Sequence, residues 1–295
     1  MSMRFNEIGQ QLRAFRLESG LRAEEIAARL GVSRAALYRY EKGEVIKLDT
    51  VKRLAELLNL SPLTLLGIGV EYYNRPIAYF ERLRQAEEAA DQLLEMLGPL
   101  CYLTTSDAYD AVLAEAFEEA ATQPGADRAK VRAEAEQILG TLGARKRLYN
   151  ARRLGIISMV SVSAVRQLLD VGLADGLIVS DALRRRSQQV AQTEVRRMAD
   201  LMEAEPMGLQ FGLLIGQEPN SLFSLLRGRD YVTLAINPFR PDGNPARLTG
   251  VAMVTGADEA VSKHQHVAEA NWRDALKGAT GAARLRRLLR ADADA

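Results

Sequence analysis

Arg34 and Arg39, with Ala35 and Tyr38 between them, are the side chains of this chain best suited to reading a nucleic acid. A guanidinium can give two parallel hydrogen bonds to the major-groove edge of guanine, and a small apolar side chain can touch a thymine methyl. If Ala36, Leu37 and Tyr40 form the inward face of a helix, Arg34, Ala35, Tyr38 and Arg39 are left on its outer side. Ser33 stands just before them, where a hydroxyl can cap the first free amides of that helix. Such chemistry is recognition rather than bond-making, and it suits a helix laid in the DNA major groove.

That face must be held by neighbouring elements. Ile26, Ala27 and Leu30 repeat at helical spacing and predict a preceding helix with one apolar stripe. Gly31 follows at once, where a left-handed backbone stops that helix and turns the chain, and Val32 can fill the gap between the two helices. Residues 5 to 18 predict a first helix with Phe5, Ile8, Leu12 and Phe15 inward, ending at Gly20. Residues 49 to 59 predict a fourth, with Val51, Leu54, Ala55 and Leu58 inward. Ser61-Pro62 starts a short fifth containing Leu63, Leu65 and Leu66, since proline is favoured in a first helical turn.

With these elements in place, residues 5 to 69 resemble the Cro/repressor-type (XRE) helix-turn-helix domain of bacterial and phage regulators. The turn Gly31, the exit Tyr40-Glu41-Lys42-Gly43 and the segment Leu60-Ser61-Pro62 carry the likeness. The resemblance implies base contacts from Arg34, Ala35, Tyr38 and Arg39. It implies backbone phosphate contacts from Arg22, Ser33, Lys42 and Lys47, which position a protein without reading sequence. It also implies an internal ion pair between Arg16 and Glu41. Two positions depart from the family pattern. Arg22 replaces the usual Ser or Thr cap and Ala23 the usual Gln, so recognition is expected to lean on the arginines.

Composition sets the wider limits. The 295 residues leave room for a second, larger core. Net charge is only +1, which excludes a general polyanion binder, but its distribution is uneven. Residues 1 to 70 carry 11 Lys/Arg against 8 Asp/Glu, and residues 81 to 140 carry 5 against 13. The acidic segment is therefore expected to face away from phosphates. The single Cys101 excludes an intramolecular disulfide and fits a reducing interior. No signal peptide and no apolar run long enough to span a bilayer are evident, so a soluble, cytoplasmic protein without a membrane partner is expected.

Three parts are predicted: a helix-turn-helix domain over 1–70, a linker over 71–80 around Arg75-Pro76, and a C-terminal domain over 81–295. In that domain the pattern is helical over 81–204. The stripe Ile77, Phe80, Leu83, Ala90, Leu94, Leu97 predicts one helix up to Gly98-Pro99. Ser106 can cap a helix to about residue 121, and residues 126 to 151 predict a long polar helix whose basic end holds Arg145, Lys146, Arg147, Arg152 and Arg153. Further helices are predicted over 159–170 and 181–203. Arg184, Arg185 and Arg186 open the last one against its dipole, which would suit an anionic partner as well as a solvated face. After Pro206 the period becomes strand-like at 209–215, 231–236 and 248–254, followed by helices over 257–277 and 280–290. The fold class is thus mainly α: a five-helix helix-turn-helix domain and a larger α+β domain with a small antiparallel sheet. The order of elements after Pro206 has a faint likeness to sensor-like modules of the same regulator family.

An enzyme is the competing expectation. His264 and His266 are the only histidines, and residues two apart on a helix cannot grip one metal together. Cys101 lies in the apolar stretch Leu100 to Leu103 and reads as a small buried hydrophobe. No phosphate-binding Gly-Lys-Ser/Thr loop and no Gly-x-Ser-x-Gly elbow occurs. No catalytic residue, metal or cofactor is therefore expected.

The leading expectation is a dimer, or a higher even oligomer, that binds a two-fold symmetric double-stranded operator. Its C-terminal domain would assemble it and could answer to a small-molecule or protein effector. Two alternatives stay open: a C-terminal domain that only assembles, and an enzyme or toxin-antitoxin component using the N-terminal domain for autoregulation.

Overall fold

The computed structural model describes residues 5–44, 46–58, 60, 62–66, 69–96, 98–173, 179–216, 222–239 and 250–293. The expected helix start at Ser61, Leu97, loop residues 240–245 and strand positions 248 and 249 lie outside that set, as do the side chains of Phe5 and Leu63.

Five helices open the chain: α1 (Phe5–Ser19), α2 (Ala23–Leu30), α3 (Arg34–Glu41), α4 (Leu48–Leu58) and the single turn α5 (Pro62–Leu65). β1 (Val70–Tyr73) and α6 (Pro76–Ala89) follow, then β2 (Gln92–Met96), α7 (Asp107–Ala121) and α8 (Arg128–Arg152). β3 (Gly155–Ser161) leads into α9 (Val162–Val171) and α10 (Asp181–Ala204). The remainder is β4 (Leu209–Leu214), β5 (Phe223–Arg227), β6 (Val232–Ile236), β7 (Ala252–Thr255), α11 (Asp258–Asp274) and α12 (Gly278–Ala293). The class expected from sequence holds: a helical N-terminal part and a larger α+β body.

The sheet differs in size and in kind from the expected one. It has seven strands in the order β1-β7-β6-β5-β2-β3-β4, and β2-β3 and β3-β4 pair in parallel. The sheet is therefore mixed, its other four pairings being antiparallel. Where one helix was expected to run to residue 97, α6 stops at Ala89 and residues 92–96 form β2, the strand flanked by β5 and β3. A strand buried on both faces reads as a short apolar run, which periodicity cannot separate from helix. The same ambiguity hid β3, whose Ile156, Met159 and Val160 are buried, so the helix expected from residue 159 starts at Val162. Residues 71–80, expected as a linker, hold most of β1 and the first turn of α6.

One side of the sheet, with Leu93, Val160, Phe211, Leu226 and Ala235, joins a core that also takes in Leu12, Phe15 and Leu37 of the helix-turn-helix part. The other side, with Met96, Met159, Leu214, Phe223 and Leu234, packs on α11 through Val261, Ala268 and Trp272. The N-terminal part is thus seated on the body. Phe15 stacks on Tyr73 of β1 with ring centroids 5.0 Å apart and planes within 9°.

Several charges expected on the surface are turned inward. Arg145, expected at the basic end of α8, is buried against Glu87 of α6, and Lys146 bonds Asp110 Oδ2 at 2.6 Å and the Ser106 carbonyl at 3.0 Å. Ser106 does not cap α7 through its side chain; its hydroxyl donates to Glu194 of α10 instead. Arg186 pairs at 2.6 Å with Glu115, a carboxylate of the chain itself.

Glu95 of β2 is buried and accepts a 3.0 Å hydrogen bond from Ser158 Oγ on β3. Burial pushes its carboxyl above the usual carboxylate range, and the hydrogen bonds of Cys101 and Ser158 only partly oppose this. Folding then favours the protonated form, so this contribution is present below the ordinary carboxylate pKa and fades as pH rises through the raised one. Glu95→Gln is expected to remove that fade. Denaturant titrations of both proteins across the acid-to-neutral range should show the variant gaining on the wild type as pH rises, and parallel curves would contradict it.

Candidate nucleic-acid interface

The turn between α2 and α3 is built as its residues require. Gly31 takes the left-handed conformation, φ 69° and ψ 30°, and its amide and that of Val32 return to the last carbonyls of α2. Ser33 Oγ accepts the Ala36 amide at 3.1 Å and so starts α3. Ala36 and Leu37 are buried, and Tyr40 is half-buried against the core. Gly9 lets α1 come close to the exit of α3: a Cβ there would lie 2.5 Å from the Tyr40 carbonyl oxygen.

Beside that exit, Arg16 Nε donates to Glu41 Oε1 at 2.5 Å and a second guanidinium nitrogen to Oε2 at 3.2 Å. Burial works against the Arg16 charge, and the hydrogen bonds and charge of Glu41 more than offset this. The pair thereby ties α1 to the last residue of α3.

Arg34, Ala35, Tyr38 and Arg39 all lie on the exposed side of α3. The Arg34 guanidinium lies 5.3 Å from the Tyr38 ring centroid, donates to its hydroxyl at 3.2 Å and meets Glu24 Oε1 at 2.7 Å. Arg39 Nε sits 3.4 Å from Glu44 Oε2. Sequence reasoning missed both carboxylates; the sign that could have found Glu24 is its place in the first turn of α2, across the turn from Arg34. Both ion pairs are more than half exposed, and such pairs are worth little in water. An incoming phosphate or base edge can therefore take over either arginine at low cost.

Arg22, Lys42 and Lys47 are also exposed and flank that face, Arg22 just before α2, Lys42 at the end of α3 and Lys47 just before α4. The Arg22 side chain makes no cap, as its chemistry dictates, while its backbone amide donates to Glu25 Oε2 at 2.9 Å. The histidines point apart: His264 packs edge-on against Phe223 at 4.8 Å, and His266 is exposed. Among the described residues no three His, Cys, Asp or Glu side chains are grouped to hold a metal, and no helix is long and apolar enough to cross a membrane.

Two short helices around a left-handed glycine, the second with a polar outer face and the first helix of the chain packed behind it, define a helix-turn-helix domain. Residues 7–66 match the family model of that description, "Helix-turn-helix domain". Two relatives, in Pyrococcus abyssi (strain GE5 / Orsay) and Pyrococcus horikoshii (strain OT-3), bear the name "Putative HTH-type transcriptional regulatory protein". The chain is 26% identical to them over 180 and 184 residues, in each case 58% of this chain and 56% of the relative. It thus spans little more than half the length of the curated relatives it matches.

Proposed function

We propose that the protein is a DNA-binding transcriptional regulator of the Cro/repressor type, docking as a dimer on a two-fold symmetric operator. The single observation that carries the reading is the outer face of α3: Arg34, Ala35, Tyr38 and Arg39 exposed together on a helix fixed by Gly31, Ser33 and the Arg16–Glu41 pair. In this reading those four side chains meet base edges. Arg22, Ser33, Lys42 and Lys47 meet phosphates, which set register and supply the salt-dependent part of the affinity. Half-sites would lie about one helical turn apart, near 34 Å. The body assembles the dimer and answers to an effector, and it acts by binding rather than by catalysis.

The test is a pair of substitutions measured on an operator selected from random duplexes. Arg39→Ala should weaken specific binding by about 1–3 kcal/mol and relax the base preference at one position. Lys42→Ala should weaken binding to every sequence and flatten the salt dependence. Operator affinity unchanged in both Arg34→Ala and Arg39→Ala would take α3 out of the groove.

A further inference from the structure

We propose that the body of the protein also grips the DNA backbone, through Lys130 on α8. The inference rests on the reading of α3 as the docking helix and extends the interface beyond the helix-turn-helix domain. An open cleft of about 460 Å³ lies between α1–α3 and α8. Arg16, Arg22, Glu24 and Tyr38 line it from the head, Lys130 and Glu134 from α8, and Arg75 from the junction. Two of these side chains already belong to the proposed interface: Arg22 meets phosphate and Tyr38 the groove. A backbone strand that touches both passes along the mouth of the cleft, where α8 forms the facing wall.

The charges of the cleft suit that path. Its lining holds four cations against two carboxylates; Arg16 is paired with Glu41, Arg75 with Glu134 at 2.9 Å and Glu24 with Arg34 at 2.7 Å, and the exposed Arg22 and Lys130 are the cations that remain for an incoming phosphate. The Lys130 side chain is exposed, and no carboxylate among the described residues pairs with its ammonium. Residues 81 to 140, expected from their 13 acids to face away from DNA, thus place one of their 5 cations on the wall of a cleft that α2 and α3 also line, while Arg75 neutralises Glu134, the acid of that segment in the same lining. A lysine acts on phosphate as a point charge at the end of a flexible stem, so it adds affinity without sequence preference.

The experiment measures binding of the full chain to a labelled random-sequence duplex and to the selected operator over a range of salt. Each phosphate neutralised contributes about 0.9 to the slope of log affinity against log salt. Lys130→Gln should lower the slope by about that amount on both duplexes, so that a fourfold rise in salt costs the variant about 3.5-fold less affinity than it costs the wild type. The base preference should not change, and Lys130→Arg should keep the slope. Lys263→Gln, an exposed lysine on α11 across the sheet, should match the wild type. A wild-type slope for Lys130→Gln, with Lys42→Ala still lowering it, overturns this inference and leaves α3 in place. A wild type that binds neither duplex overturns both.

Discussion

Arg145→Met is expected to cost about 3–5 kcal/mol of folding stability, because it strands a buried carboxylate. Arg145 and Glu87 have 5% and 1% of their side-chain surface exposed. Three hydrogen bonds of 2.7, 2.9 and 3.1 Å join the guanidinium to both carboxylate oxygens. The guanidinium also lies over the Phe80 and Tyr102 rings, 5.9 and 5.5 Å from their centroids. Among the described residues Glu87 has no comparable partner to turn to, so removing the cation leaves its desolvation uncompensated. Urea denaturation of the single variant and of Arg145→Met/Glu87→Leu checks the cause. Two apolar side chains bury no charge, so the double variant should recover much of the loss. A single variant as stable as the wild type would contradict the cost assigned to the stranded charge.

Phe15→Ala should cost a similar amount, about 3–5 kcal/mol, through the cavity it leaves. The ring is 1% exposed and stacks on Tyr73, so it belongs at once to α1 of the head and to β1 of the body. The loss should therefore appear as lost coupling as well as lost stability. Trp272, the only tryptophan, sits on α11 against the far side of the sheet and reports the body. In the wild type, its fluorescence and the far-ultraviolet helical signal should melt together. In the variant, part of the helical signal should melt first. A loss below about 1 kcal/mol with coincident transitions would show that the head does not depend on this contact.

The recognition segment was legible residue by residue because its signals are local. A left-handed glycine, a serine cap and an apolar stripe each act within one turn of chain, and Gly31, Ser33, Ala36 and Leu37 stand as their types require. The sheet was legible only in part. β4, β6 and β7 lie between turn-forming residues, whereas β2 and β3 are short apolar runs beside helices, where strand and helix share one pattern. Side-chain pairing across the body was beyond reach altogether. Nothing near Arg145 in sequence tells that Glu87, 58 residues away, waits to receive it. The same holds for Lys130: its place in an acidic segment argued against DNA, and only the fold sets it on the wall of a cleft that Arg22 also lines.

The edge strand that follows the head has one partner, and that partner comes late. β1 pairs in antiparallel register with β7, and Thr255 Oγ1 bonds the Gly69 carbonyl across 186 residues of chain. During synthesis the helix-turn-helix domain and β1 emerge long before the strand that pairs with β1, and closing so long a loop is a slow, late event in folding. A nascent or truncated chain lacking β7 would leave β1 without its pairing strand, the head being held to the body by the packing of α1 against α6 and Tyr73. Removal of the last strand by a protease would have the same result, so residues 252–255 bear on how firmly the head is held to the body.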